Sequence, residues 1–225
     1  MKNTAVPVSA LLLSVAISGC AFTPKHEVEI SSAMRKAPIR QVHVLAPFFP
    51  KDAKRQDPND FREMLPENRA SSATTLQEAL KRALGASVSV DSAWVPDAKA
   101  LAWAKAIGDD LVIQRIPLGV PSATIPVESV LITGVIAYGT EKDQMLIQFL
   151  PFLPGMKKHA IGEPKWDHIC DLLCILVRPS DGAVLFNIRH EERSTTLFED
   201  PGLLKESVTK AASAVRDVWS KAAEK

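Results

Sequence analysis

The chain has 225 residues, 46% of them hydrophobic, with 27 basic and 26 acidic side chains. That length suits one domain with a core large enough to fold alone. A net charge of +1 leaves no electrostatic footprint for nucleic acid, and no stretch beyond the first twenty residues reaches the roughly 18 consecutive apolar residues that mark a membrane span.

At the amino terminus, Lys2 precedes a mostly apolar run from Ala5 to Ile17, interrupted by Pro7, Ser9 and Ser14. A bilayer-spanning helix takes about 20 apolar residues, so this run fits a secretory signal that ends on small residues. The end is Ile17-Ser18-Gly19-Cys20, which resembles the bacterial lipoprotein box. The resemblance implies signal-peptidase recognition through Ile17, Ser18 and Gly19, cleavage before Cys20, and acylation of Cys20 by chains such as palmitate. The alternative is an ordinary signal with a chance cysteine. Two or more chains on one residue make a stable anchor, since each buried CH₂ adds about 0.8 kcal/mol. In lipoproteins of enteric type, aspartate after the cysteine usually marks inner-membrane retention. Ala21 therefore points to the periplasmic face of the outer membrane.

Residues 1–19 then read as a signal peptide, 20–38 as the lipidated terminus and a tether, and 39–225 as one periplasmic domain. A flexible tether of that length spans roughly 20–25 Å by the random-coil relation. "IRQVHVLAPFFP" (Ile39 to Pro50) reads as a strand apolar on both faces, hence central in a sheet covered by helices. His43 in it is expected to be packed rather than catalytic. Lys51 to Arg69 is dense in charge of both signs, holds Pro58 and Pro66, and reads as an exposed loop.

Ser71 to Ala86 has apolar residues at Leu76, Ala79, Leu80, Ala83 and Leu84, the spacing of a helix. Thr75 with Glu78 suggests a capping box and Gly85 a C-cap. Val88 to Val95 reads as a half-buried strand. Asp97 should cap a helix from Ala98 to Ile107, closed by Gly108, and Asp109 to Ile116 reads as a third strand. Trp94 and Trp103 are expected as packing aromatics. Ser129 to Gly139 reads as a fourth strand, with Gly134 permitting a bulge or a close backbone approach.

Met145 to Leu153 ("MLIQFLPFL") is unusually apolar for a surface and lies beside Pro151 and Pro154. Met145, Leu146, Phe149, Phe152 and Leu153 are candidates for hydrophobic contact with a lipid or membrane, against an ordinary core role. Ile169 to Val177 is a near-continuous apolar strand. Pro179-Ser180-Asp181-Gly182 has tight-turn chemistry, and the alternating Val184, Phe186 and Ile188 complete a hairpin. Cys170 and Cys174 would share a strand face about 13 Å apart at about 3.3 Å per residue, beyond the roughly 7 Å limit for a disulfide. Glu191 and Glu192 read as a solvated strand end. Pro201 to Lys225 is an amphipathic helix with a stripe at Leu204, Val208, Ala211, Val215, Val218 or Trp219, and Ala222.

This order of elements is an α/β (α+β) sandwich, a mixed central sheet of about 5–6 strands packed by about 3 helices. "VHVLAPF", "AIGDDLVIQRI" and "VRPSDGAVLFN" resemble, in order and spacing, elements of the curli-secretion lipoprotein CsgG, of the amino-terminal domain of TolB, and of related periplasmic lipoproteins. Asp109 replaces a usual alanine, and the hairpin lacks the family's aspartate and tryptophan. The resemblance covers residues 39–221 and implies a mostly non-enzymatic role in anchoring, regulating or building envelope assemblies. A scaffold shared in this way does not name a partner.

No GxSxG elbow, HExxH motif, phosphate-binding glycine loop or dinucleotide fingerprint occurs. The expectation is a lipid-anchored adaptor, assembly or regulatory lipoprotein that is not an enzyme. It has no catalytic residues, no cofactor and no metal, is held to the membrane by its anchor, binds an envelope protein or itself, and does not bind nucleic acid. A lipid carrier or sensor is the first alternative. A periplasmic hydrolase with a non-local active site is the second.

Overall fold

The structure, a computed structural model, describes residues 26–36, 39–49, 61–63, 69–113, 116–117, 119–142, 166–196 and 201–223. In chain order these form β1 (His26–Ile30), α1 (Ser32–Lys36), β2 (Gln41–Val44), β3 (Phe61–Glu63), α2 (Arg69–Gly85), β4 (Ser89–Val90), α3 (Ala98–Val112), β5 (Val130–Lys142), β6 (Trp166–Arg178), β7 (Ala183–Thr196) and α4 (Pro201–Ala223). One mixed sheet runs β1-β7-β6-β5-β2-β4, with β3 beside the far end of β5. The β5, β6, β7 and β1 pairings are antiparallel, while β2 runs parallel to both β5 and β4. The expected α/β sandwich with a mixed sheet is what forms. Among the described residues it has seven strands and four helices.

Side chains of a strand alternate between faces, and β6 supplies apolar groups to both. Cys170, Leu172, Cys174 and Leu176 join Leu131, Val135, Phe186 and Ile188 under Leu76, Leu80 and Leu84 of α2 and Val208, Ala211, Val215 and Trp219 of α4. Leu173, Ile175 and Val177 join Val130 and Ile132 under Ala104, Ile107 and Leu111 of α3. The near-continuous apolar run of β6 follows from this two-sided burial.

The first correction concerns the tether. Residues 26–36 are folded. β1 pairs with β7 along its whole length, from His26 opposite His190 to Ile30 opposite Phe186. Met34 of α1 is buried in the core beneath α4. The charged His-Glu-Val-Glu-Ile sequence suits a sheet edge, where charges discourage further pairing.

The second concerns Asp109 to Val112, which is the last turn of α3 and not the start of a strand. The buried stripe Ala100, Ala104, Ile107, Gly108 and Leu111 keeps helical spacing through the glycine and outweighs the β propensity of Leu-Val-Ile. Gly108 does not end the helix. It lets Phe48 lie against the backbone, where an added Cβ would come within 2.3 Å of the ring. Asp97 caps α3 as its sequence suggests, its Oδ1 accepting from the Ala100 N–H at 2.8 Å.

Two further differences are local. α2 starts at Arg69, so Thr75 lies inside it and its hydroxyl donates to the Ser71 carbonyl at 2.9 Å, which leaves no capping box at that position. The buried spacing Ser72-Leu76-Leu80-Leu84 carries the helix back past the expected start. The charged loop before it contains β3, paired with β5. The second strand shortens to Ser89–Val90.

The hairpin turn forms as read. Gly182 has φ +68°, and the Arg178 guanidinium grips the Asp181 carboxylate at 3.0 and 2.8 Å. Simple alternation fails just beyond it. The β6–β7 register shifts between Leu176 and Val177, so Leu185 bulges out of the ladder and is buried beside Phe186 on the α4 side.

Candidate functional site

Ile17, Ser18, Gly19 and Cys20 lie outside the described residues, as do Met145, Leu146, Phe149, Phe152 and Leu153. What the structure fixes is where the chain after Cys20 enters the fold. His26, six residues on, already sits in β1, which among the described residues has a strand on one side only. The exposed groups on this entry, among the described side chains, are Glu27, Val28 and Glu29 of β1 and Ser32 and Arg35 of α1.

Among the described residues, the densest polar cluster lies on the outer halves of β6 and β7. The bulge at Leu185 sets their register, placing Asp171 opposite Glu191 and Asp167 opposite Thr195. Across the diagonal, Arg189 reaches the fully buried Asp171 at 3.0 Å. The hydrogen bond to Asp171 holds the Arg189 guanidinium above its ordinary value. Arg193 bonds Glu191 on the same strand and lies 3.9 Å from Asp167. Asn187 donates to Glu29 of β1 at 3.0 Å. On the opposite face, Glu192 is 3.5 Å from His190 and 3.4 Å from Lys210 of α4. Lys210 also meets Glu206 at 3.1 Å, and that hydrogen bond raises its pKa.

Glu191 and Glu192, expected as a solvated strand end, are therefore buried members of this network. The signal was present in the alternation of Arg189, Glu191 and Arg193 along one strand opposite Asp167 and Asp171 on the other. Reading it required the bulge, because a register one residue away puts these groups on opposite faces. In this network Asp171, Glu191 and Glu192 are held by Arg189, Arg193 and Lys210 across β6, β7 and α4, while its carboxylates outnumber its guanidinium and ammonium groups. Among the described residues no group of three or more His, Cys, Asp or Glu is placed to hold a metal ion.

His43 is buried as expected. Its Nδ1 lies 3.0 Å from the Asp91 carbonyl and its ring meets Trp94 edge-on at 4.6 Å. Burial lowers its pKa. Trp103 packs at the same layer and donates Nε1–H to the Pro121 carbonyl at 2.8 Å. Cys170 and Cys174 are free, buried thiols. Burial pushes the Cys170 thiol far up and Cys174 to about 12, so both stay protonated and unreactive at neutral pH. Among the described residues no helix is long and apolar enough to cross a membrane.

No protein-family model and no curated protein sequence matches the chain. Solved structures of similar shape include PelC from Paraburkholderia phytofirmans, described as a dodecamer (14% identity, 85% of this chain and 97% of that one, TM-score 0.39). Others are the hypothetical protein CT253 from Chlamydia trachomatis (11%, 83% and 99%, 0.46) and the lipoprotein GNA1162 from Neisseria meningitidis (18%, 79% and 99%, 0.35). Bacterial lipoproteins are thus among the structures this chain is similar to. Likeness at this level transfers no activity, ligand or assembly.

Proposed function

We propose that this chain is a lipid-anchored protein of the bacterial envelope, attached through Cys20 to the periplasmic face of the outer membrane and acting as a non-enzymatic adaptor or assembly factor. The observation that carries this reading is the box Ile17-Ser18-Gly19-Cys20 at the end of a short apolar signal. The placement of β1 supports it, because a strand of the sheet is already formed six residues after that cysteine. The pairing of the buried carboxylates Asp171, Glu191 and Glu192 with Arg189, Arg193 and Lys210 supports a binding role over an acid–base one. A general acid or base needs a carboxyl held ready to exchange its proton with substrate. The CsgG- and TolB-like relationship belongs to the same proposal.

Metabolic labelling with radioactive palmitate tests the anchor. The wild-type chain should take up label and a Cys20→Ser chain should not, and equal labelling of the two would overturn the reading. Density-gradient separation of inner and outer membranes tests the address. Crosslinking in intact envelopes tests the role, with a specific neighbour or a second copy of the chain as the expected product.

A further inference from the structure

The short connection between Cys20 and the sheet sets the orientation of the domain on the membrane. His26 is the first residue of β1, six peptide steps after Cys20. At full extension those steps span about 20–22 Å, whatever path they take. A domain of this length has a radius of gyration of about 16 Å, or about 40 Å across as a sphere. The anchor therefore cannot pass around the body. An acyl group in the bilayer keeps β1 close to the headgroups and excludes any orientation in which β1 is the most distant part of the domain.

The sheet order makes this positional limit a choice of surface. β1 is one edge and β4 the other, five strand spacings away, or about 24 Å at about 4.8 Å each. β1 is also an open edge. Its outer side carries no strand among the described residues, and its charges discourage a further strand there without keeping headgroups away. Val28 on it is a large apolar side chain 40% exposed. Phospholipid headgroups offer phosphate and ester acceptors to backbone donors, and their acyl boundary accepts a side chain such as valine.

We infer that the β1 edge, with Glu27, Val28 and Glu29 on it, is the surface held against the phospholipid headgroups of the leaflet that carries the anchor. The β4 edge and the exposed Val95, next to the Trp94 that packs on His43 of β2, then face the periplasm. The inference rests on acylation of Cys20.

The test uses the full acylated chain in vesicles of phosphatidylethanolamine and phosphatidylglycerol whose headgroups carry a short-range fluorescence quencher. Single-cysteine labels are placed by Glu27→Cys, Val28→Cys and Val95→Cys. Cys20 is blocked by its acyl chain, and the buried Cys170 and Cys174 thiols stay unlabelled. Unchanged thermal melting shows that each variant is folded, and positions 27 and 28 report independently from opposite faces of the strand. Quenching severalfold stronger at 27 and 28 than at 95 is the expected result. Equal quenching at all three on an acylated, vesicle-bound chain overturns the orientation and leaves the anchor standing. A chain that takes up no fatty acid and stays off the vesicles overturns both.

Discussion

Gly134 lies where α3 crosses β5, and a Cβ there would come within 2.7 Å of Leu111 Cβ and 3.1 Å of the Val112 backbone nitrogen. Neither a helix backbone nor a Cβ can swing aside, so Gly134→Ala should cost about 1–3 kcal/mol, the range for overpacking a tight core. Gly85→Ala, whose nearest neighbour would be 3.9 Å away, should be close to neutral in the same urea titration. The ion pairs divide in a similar way. Asp171→Ala leaves the Arg189 guanidinium without its buried partner and should cost about 3–5 kcal/mol. Asp181→Ala breaks an exposed pair with Arg178 and should cost under about 1 kcal/mol. Comparable losses for the two would show that the inner pair is as wet as the outer one. His43 gives a pH signature. Its folded pKa lies below 6.5, with desolvation first and Lys81 adding to the effect, while the Asp91 carbonyl and carboxylate oppose it. The unfolded chain therefore binds the proton more readily, so the contribution of His43 is present above pH 6.5 and is lost as pH falls through the lowered value. His43→Asn should flatten the slope of stability against pH on the acid side of neutrality. An unchanged slope would assign it to other groups.

Elements were legible where one periodicity dominated. The α4 stripe of Val208, Ala211, Val215 and Trp219 is buried as its spacing demands, and the Pro-Ser-Asp-Gly turn closes with Gly182 left-handed. Trp219→Ala should cost about 3–5 kcal/mol, since the indole is fully buried and meets Phe186 edge-on. Legibility failed where two signals competed or where long-range pairing decided. Leu111-Val112 reads as strand by side-chain type, yet the helical stripe from Ala100 ends there. β1 is short, charged and followed by a proline at 38, the composition of a linker, and only its partner β7 makes it a strand. The charged network was missed because the bulge at Leu185, which sets its register, has no glycine or proline to mark it. The β1 finding has a direct test. A chain starting at Ile39, the boundary the sequence suggests, loses the β1 ladder and the burial of Met34. Burying a methionine is worth about 1.5–3 kcal/mol by itself. Such a chain should melt lower and unfold at lower urea than one starting at His26, whereas equal midpoints would return residues 26–36 to the role of tether.

At the scale of the whole molecule, cohesion is uneven across the sheet. β5, β6 and β7 are the long strands, paired over nearly their full lengths and covered by α2 and α4 on one face and by α3 on the other. β1 and β4 are short edges, each held among the described residues by a single neighbouring strand. Local opening follows burial and pairing, and edges open at lower free energy than the centre. Amide hydrogen exchange should therefore be slowest in peptides from 170–176 and 186–190, intermediate in 26–30, and faster in 89–90. If the anchor holds the β1 edge to headgroups, lipidated protein on vesicles should show slower exchange at 26–30 than the Cys20→Ser chain in solution, while 89–90 is unchanged. A slowing shared by both edges would mean that the membrane stabilises the fold as a whole. No change at either edge would mean that the domain stands clear of the lipid despite its short connection.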